Sequence, residues 1–312
     1  MKKFDVIGFG ALNIDKTRIV NEEVEEGERI LSDYFENEDF ELRVSPGGSA
    51  ANTVVGLSRL GLKTAYIGKV GNDEEGLFLL NDLREEGVDI SGVRKENGRS
   101  GIAYIVVGKK GKRAIQTEPG VNDTIRMEDI DFDYLKETKI LHLTSFMSKY
   151  TDESFLTQKK IVEKFPDIKI SFDPGECYAK RGMKEMESII KRTHIILPNE
   201  RELKLLTGCD HINGCKALLD TGVDIVAVKR GERGCYVTNG SMECYVPSES
   251  VHVVDTTGAG DAFNAGFLYG IIRSKPLEYC GKLGNFVASQ CIMKYGARDG
   301  LPFFLNNHKK IF

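Results

Sequence analysis

The stretch Asp255-Thr256-Thr257-Gly258-Ala259-Gly260-Asp261 constrains this chain more than any other. It follows an apolar run at 251–254 and opens a helical pattern over 262–273. The pattern reads as a strand turning into a helix, with Asp261 in the helix's first turn. No side chain between the two aspartates is bulkier than threonine, so a ligand can approach the backbone closely. A helix N-terminus carries unpaired N–H groups and partial positive charge, and it favours an anion. A carboxylate beside a bound phosphate is placed to take the proton of an attacking hydroxyl. The same residues also fit a flexible turn with an N-capping aspartate, worth about 1 kcal/mol. Short glycine motifs recur by chance, so the two readings stand level until the rest of the chain is considered.

The 312 residues, 41% of them hydrophobic, suit one large α/β domain or two modest ones, with a real core. Net charge is −4 with no long basic run, which argues against a general nucleic-acid or membrane-surface binder. Asp5 interrupts the apolar start, and no stretch approaches a membrane-spanning length. The cytoplasm is therefore the expected location. Seven cysteines, an odd number without a Cys-x-x-Cys, point to free thiols rather than disulfides or structural zinc. The five histidines show no metal-ligand spacing.

Residues 4–10 read as a buried first strand. Asn13 and Asp15 follow at strand spacing and point the same way from its carboxyl end, where parallel α/β sheets bind ligands. Such a pair can hold adjacent sugar hydroxyls; a turn aspartate is the alternative. Residues 20–29 are acidic and expected to be exposed. Segments 35–44, 101–107 and 112–117 read as strands outside the strand–helix alternation of the rest of the chain, the last two joined at Lys109-Lys110-Gly111. They are expected to form a small sheet apart from the main one, a lid. Gly47-Gly48 leads into a helix over 53–60, and Asn52 in its first turn can reach a polar ligand or serve a cap.

Strand–helix alternation then takes over, with strands at 64–68, 139–143, 168–172, 195–197 and 225–229. Helices are expected to 84 and over 152–164, 184–191 and 276–294, with a hairpin at 235–238 and 242–246. Asn199 and Glu202 lie one turn apart. They fit a hydrated Mg²⁺ or a capping box, and spacing alone favours the cap. Lys229, at a strand's end, is placed to touch a phosphate.

Several of these stretches, in this order, resemble the ribokinase-like (PfkB) carbohydrate and nucleoside kinases over nearly the whole chain. Gly47-Gly48-Ser49-Ala50-Ala51-Asn52 resembles the family's N-terminal signature and Asp255 to Asp261 its C-terminal one. Asn199-x-x-Glu202 matches its metal-associated motif, and Lys229-Arg230-Gly231-Glu232-Arg233-Gly234 resembles the segment before its nucleotide site. The resemblance implies one α/β domain over 1–312, a three-layer α/β/α fold with a mostly parallel central sheet. A small β-sheet lid is expected within about 18–45 and 98–120, with dimer contacts through it.

The resemblance also implies roles. Asp261 is the expected general base, and the N–H groups of Gly258, Ala259 and Gly260 the expected anion hole. Asn13, Asp15, Gly47, Gly48, Asn52 and Glu118 are expected around the acceptor. Asn199 and Glu202 would organise Mg²⁺ through water and phosphate. Lys229, Gly231, Gly234, Thr256, Gly258 and Gly260 would lie along ATP, and Asn285 near the adenine. Asp255, with main-chain oxygens of 294–298, corresponds to the K⁺ site of some members. Two departures stand out: Gly120-Val121-Asn122 replaces a common Gly-Ala-Asn, and Lys229 a common threonine.

The expected reaction is phosphorylation of a hydroxymethyl group on a small sugar. A nucleoside acceptor would need a base pocket, for which Tyr34, Phe35, Phe40 and Tyr104 are candidates unless they form the lid's core. A non-catalytic sugar or nucleotide sensor is the rival from another class. A dinucleotide-binding oxidoreductase is disfavoured, because the third glycine of its fingerprint is missing after Gly8-Phe9-Gly10.

Overall fold

A strand covered by helices on both faces must be apolar or small on both, and Thr64–Gly71 is buried along its whole length. In the computed structural model, which describes residues 2–24, 33–36, 41–109 and 113–303, this strand is one of thirteen. They are β1 (Phe4–Phe9), β2 (Asn13–Ile19), β3 (Leu42–Gly47), β4 (Thr64–Gly71), β5 (Asp89–Glu96), β6 (Gly101–Val107), β7 (Arg113–Glu118), β8 (Thr138–Thr144), β9 (Lys169–Asp173), β10 (Thr193–Ile196), β11 (Ile225–Lys229), β12 (Cys235–Thr238) and β13 (Glu243–Val246).

Nine strands form the main sheet in the order β13-β12-β11-β10-β9-β8-β1-β4-β5. It is parallel from β5 to β11, and the β12–β13 hairpin adds an antiparallel edge. Its two faces carry separate apolar cores. One gathers Val6, Val54, Phe263, Phe267 and Leu283; the other gathers Ile7, Phe9, Phe155, Phe172 and Tyr178. Four strands, in the order β3-β2-β6-β7, form the small sheet. The three-layer architecture with a separate small sheet thus matches the expected fold. Among the described residues, no helix is long and apolar enough to cross a membrane.

Several local expectations need correction. The segment 35–44 is not one strand: Asp33–Glu36 is helical and the strand starts at Leu42. Phe35 has strand propensity, yet it packs edge-on against Tyr104 with ring centres 5.0 Å apart; tertiary packing overrides propensity. Asn13 and Asp15 do not extend the first strand but begin β2 of the small sheet. The polar edge strand β5 escaped the sequence reading because it lacks apolar alternation. The helix expected over 184–191 is broken at Met186 into Gly182–Glu185 and Glu187–Ile190.

Residues 251–254 form no strand; Val254 and Asp255 donate their N–H groups to the carbonyl of Ile292 instead. Helices Ser49–Arg59 and Ala259–Ile272 begin before their apolar periodicity does, because small residues carry no periodic signal. Within 20–29, Val20 and Val24 are buried while 21–23 are exposed. Residues 25–29, Phe40, Lys110 and Gly111 lie outside the described residues.

Only residues 10–12 separate β1 of the main sheet from β2 of the small one. Asn122, fully buried, fixes this junction: its Oδ1 accepts from Leu12 N at 3.0 Å, and its Nδ2 donates to Leu12 O and Asn13 Oδ1. Removing the amide strands a buried N–H and C=O, each costing roughly 1–3 kcal/mol. Asn122→Ala is expected to lower stability by about 2–4 kcal/mol, measured by urea unfolding of the folded variant.

Candidate active site

The helix Ala259–Ile272 starts at Gly258, whose left-handed φ of 75° suits glycine. A Cβ there would lie 2.6 Å from that of Ala297, so the turn also needs the missing side chain. No side chain caps this helix. The N–H of Ala259 donates to Thr256 O at 3.2 Å and is drawn into the turn. Those of Gly258 and Gly260 have no partner among the described residues. The expected three-donor hole thus reduces, among these glycine-loop groups, to two unpaired N–H groups.

Asp261 stands beside them. Its Oδ2 accepts from Asn52 Nδ2 at 2.8 Å, and Ser49 hydrogen-bonds the same carboxyl. Burial pushes this carboxyl up to about 6; Asp173 adds to the rise, while Asn52, Lys229 and Ser49 oppose it. Asn52, expected at the acceptor, has both ends of its amide engaged: Oδ1 accepts from Arg298 Nε at 2.8 Å.

Behind the helix start lies a buried charged cluster. Lys229 ends β11, and its ammonium sits 2.6 Å from Asp173 Oδ2 and 3.4 Å from Asn264 Oδ1. A Cβ on Gly260 would lie 3.4 Å from that ammonium, so Lys229 reaches the helix start. Asn264 also donates to Asp173 Oδ2 at 2.6 Å. Burial opposes ionisation of Asp173, but Lys229 and Asn264 outweigh it and hold the carboxyl low. Lys229 is correspondingly held up by Asp173 and Glu202 against its own burial. Nearby His142 is buried, which lowers it to about 4 and keeps it neutral; its Nδ1 lies 3.1 Å from Ser171 Oγ.

Asn199 and Glu202 form the capping box: Asn199 Oδ1 accepts from Glu202 N and Glu202 Oε2 from Asn199 N, each at 2.8 Å. A parallel bridge sets Asn199 beside Lys229. Burial, and then Asp173, push Glu202 up to about 7. Three carboxyls, Asp173, Glu202 and Asp261, therefore share one ammonium.

On the small sheet, Asp15 is buried and packs on Gly47, where a Cβ would lie 2.2 Å from Asp15 Oδ1. Gly48 caps the helix Ser49–Arg59 with φ 103°, and Asn13 Oδ1 is held by Asn122 at 2.9 Å. Glu118 has other partners: Lys149 Nζ at 2.5 Å and Tyr150 OH at 2.7 Å. It serves as a tether for the loop after β8.

On the opposite side, Gly231 and Gly234 bracket a 3₁₀ turn after Lys229, and Thr256 is exposed. Asn285 donates to the carbonyls of Val246 and Pro247 at 2.9 and 3.0 Å, so its amide shapes this side rather than projecting from it. Asp255 is buried; Oδ1 accepts from Thr257 and Oδ2 from Gly296 N. It braces the glycine turn against the loop after the last helix. A separate cavity of about 340 Å³, lined in part by Met183, Glu187, Ile190 and Thr221, shares none of these residues.

Sequence reasoning missed Ser49, Asp173, Asn264 and Arg298. Asp173 had a signal, being a carboxylate at a strand's carboxyl end. Asn264 had one too, a polar residue one turn after Asp261 in an otherwise apolar helix. Arg298 had none.

Residues 9–303 match the pfkB family of carbohydrate kinases. A protein of Archaeoglobus fulgidus described as an uncharacterized sugar kinase is 53% identical over 80% of this chain and 98% of its own. Adenosine kinase from Sinorhizobium meliloti superposes with a TM-score of 0.85 at 25% identity, covering 95% of this chain and 96% of its own. A sugar kinase from Pyrococcus horikoshii, solved in complex with ATP, superposes with a TM-score of 0.75 at 30% identity over 97% of both chains. The chain belongs to the pfkB carbohydrate kinase family. It is an ATP-dependent sugar or nucleoside kinase with the ribokinase-like fold.

Glu202 supplies a test of the carboxyl crowding. Its carboxyl is raised on folding, so the ligand-free protein loses stability as pH climbs from the unfolded value near 4.5 through about 7. Gln keeps the cap's acceptor but not the charge. Glu202→Gln is expected to leave stability unchanged at pH 5 and to raise it by about 1 kcal/mol at pH 8, read as a rise in Tm of a few degrees.

Proposed function

We propose that the chain transfers the γ-phosphate of ATP to a hydroxymethyl group of a small sugar, with Asp261 as general base. The observation that carries this reading is the Asp261 carboxyl at an uncapped helix start, beside two unpaired N–H groups and the Lys229 ammonium. Ionised above about pH 6, Asp261 takes the hydroxyl proton as that oxygen bonds to phosphorus and the bond to the departing ADP breaks. Charge on the transferred group is met by the N–H groups of Gly258 and Gly260 and by Lys229. Asp15, Asn13 and the backbone at Gly47 and Gly48 hold the acceptor.

Mg²⁺ fits the carboxyl excess around Lys229; Asn199 and Glu202 would hold it, largely through water, and it would neutralise phosphate charge. Asp255 Oδ1 accepts twice from Thr257 and Oδ2 once from Gly296 N, so this carboxylate is built into the glycine turn. No step is assigned to K⁺. Glu118, tied to Lys149 and Tyr150, is left out of the acceptor set.

A free sugar is favoured over a nucleoside by the alternation of the small sheet. Asp15 pairs with Ala103 in register, so Tyr104, which pairs with Lys16, belongs to the other face. Tyr104 and Phe35 pack with Val20, Val24 and Val106 as part of that face's core. They are spent on the lid rather than on a base pocket.

A coupled kinase assay with ATP and Mg²⁺ over a panel of sugars and nucleosides tests the reading. The expected result is turnover on a free sugar; no turnover on any member would favour the sensor. With the accepted substrate, Asp261→Asn is expected to bind both ligands and to lose roughly 10²–10⁴-fold in kcat. The wild-type rate should fall as pH drops through about 6. Near-normal turnover by the Asp261→Asn protein would remove that residue from the mechanism.

A further inference from the structure

We propose that Arg298 is a positioning residue for the base, fixing the Asn52 amide so that its NH₂ group faces Asp261. The inference rests on the reading of Asp261 as base and extends it to a residue outside the family motifs quoted above. Arg298 is 5% exposed, an uncommon burial for a guanidinium. It lies in the loop after the last helix, whose course is held from outside: Arg59 Nη1 donates to the carbonyls of Arg298 and Leu301 at 2.6 and 3.2 Å, and Arg59 is itself paired with Glu86. From there Arg298 Nη1 pairs with Asp82, and Nε donates to Asn52 Oδ1 at 2.8 Å. Asn52 Nδ2 in turn donates to Asp261 Oδ2 at 2.8 Å.

The two ends of an asparagine amide are nearly isosteric, so the surroundings alone decide which end points where. A flip of Asn52 would set its NH₂ against the guanidinium N–H and its oxygen against the Asp261 carboxylate. Two hydrogen bonds would be lost and an oxygen–oxygen repulsion gained. Arg298 blocks the flip because it offers only donors, and Asp82 anchors its Nη1. The result fixes Oδ2 of Asp261 and so sets the orientation of the whole carboxylate toward the acceptor hydroxyl. The rival account is a structural ion pair in which Arg298 merely ties its loop to Asp82.

The two accounts separate on the acid limb of the kcat–pH profile. The groups bearing on Asp261 are Asn52 and Ser49 from one helix, Asp173 and Lys229 from the sheet, and Glu202 and Cys291 from other helices. Of these, only Asn52 is linked to Arg298 by a hydrogen bond in the structure. Removing a donor from a carboxylate raises its pKa. Arg298→Met is therefore expected to move the acid limb up by about one pH unit. It should lower kcat about tenfold to a hundredfold with the KM for ATP little changed. Arg298→Lys, with one ammonium for two partners, should recover part of both effects. Asn52→Ala should reproduce the shift, and adding Arg298→Met to it should shift the limb no further.

A lower Tm with an unmoved acid limb and wild-type kcat would overturn the proposal, as would a second full shift in the double variant. If Arg298→Met does not fold, the cycle of Arg298→Lys with Asn52→Ala decides on the same criterion. The base assignment is checked separately: an active Asp261→Asn protein would defeat that assignment, whereas an inactive one beside a normal Arg298→Met protein would defeat this inference alone.

Discussion

The structure turns on one electrostatic imbalance. Asp173, Glu202 and Asp261 converge on a single ammonium, that of Lys229, at the carboxyl edge of the main sheet. A buried charge without a partner is costly, and a protein answers it by protonation, pairing or recruiting an ion. Two of these answers are present, pairing and protonation. Asp173 is paired with Lys229 and Asn264 and stays ionised. Glu202 and Asp261 are raised toward neutrality. Two N–H groups and a helix start stay open beside them. Such a site is poised to change its ionisation when a polyanion with its counterion arrives, which phosphoryl transfer requires.

The scaffold delivers this imbalance through short-range devices at element ends. Asp173 and Lys229 end parallel strands. Glu202 sits in the first turn of a capped helix, and Asp261 in the first turn of an uncapped one. The contrast between these two helix starts is informative. Where Asn199 and Glu202 satisfy each other's N–H groups, the helix is complete in itself. Where Gly258 leaves N–H groups bare, the helix is complete only with something bound.

Much of the architecture was legible because its signals are local. Apolar runs of strand length, glycine turns and first-turn aspartates mark the main sheet and the start at Gly258 without knowledge of partners. The central motif residues stand out in the sequence for the same reason. Partners were not legible. Helical spacing puts Asn52 in a first turn but cannot say that it meets Asp261, 209 positions away, or Arg298, 246 positions away. Asp173 went unremarked because its partner Lys229 stands 56 residues on. The apolar run at 251–254 resembled a strand in composition, yet no sheet edge is offered to it. Phe35 resembled a strand residue because its packing partner Tyr104 lies on a distant segment.

The junction at residues 10–12 has a consequence beyond stability. The groups proposed for chemistry belong to the main sheet and its helices, while Asn13 and Asp15 belong to a second sheet, tied to the first by residues 10–12 and a buried amide, by β3 running into the helix Ser49–Arg59, and by the short link 97–100. Substitutions on β2, β6 and β7 can therefore accumulate apart from the ionisation balance of the first, while β3 leads directly into Ser49 and Asn52, which bond Asp261. A lineage built on this plan is free to drift in what it phosphorylates while the apparatus that phosphorylates stays fixed, and divergence of acceptors among its descendants is the pattern such a division of labour favours.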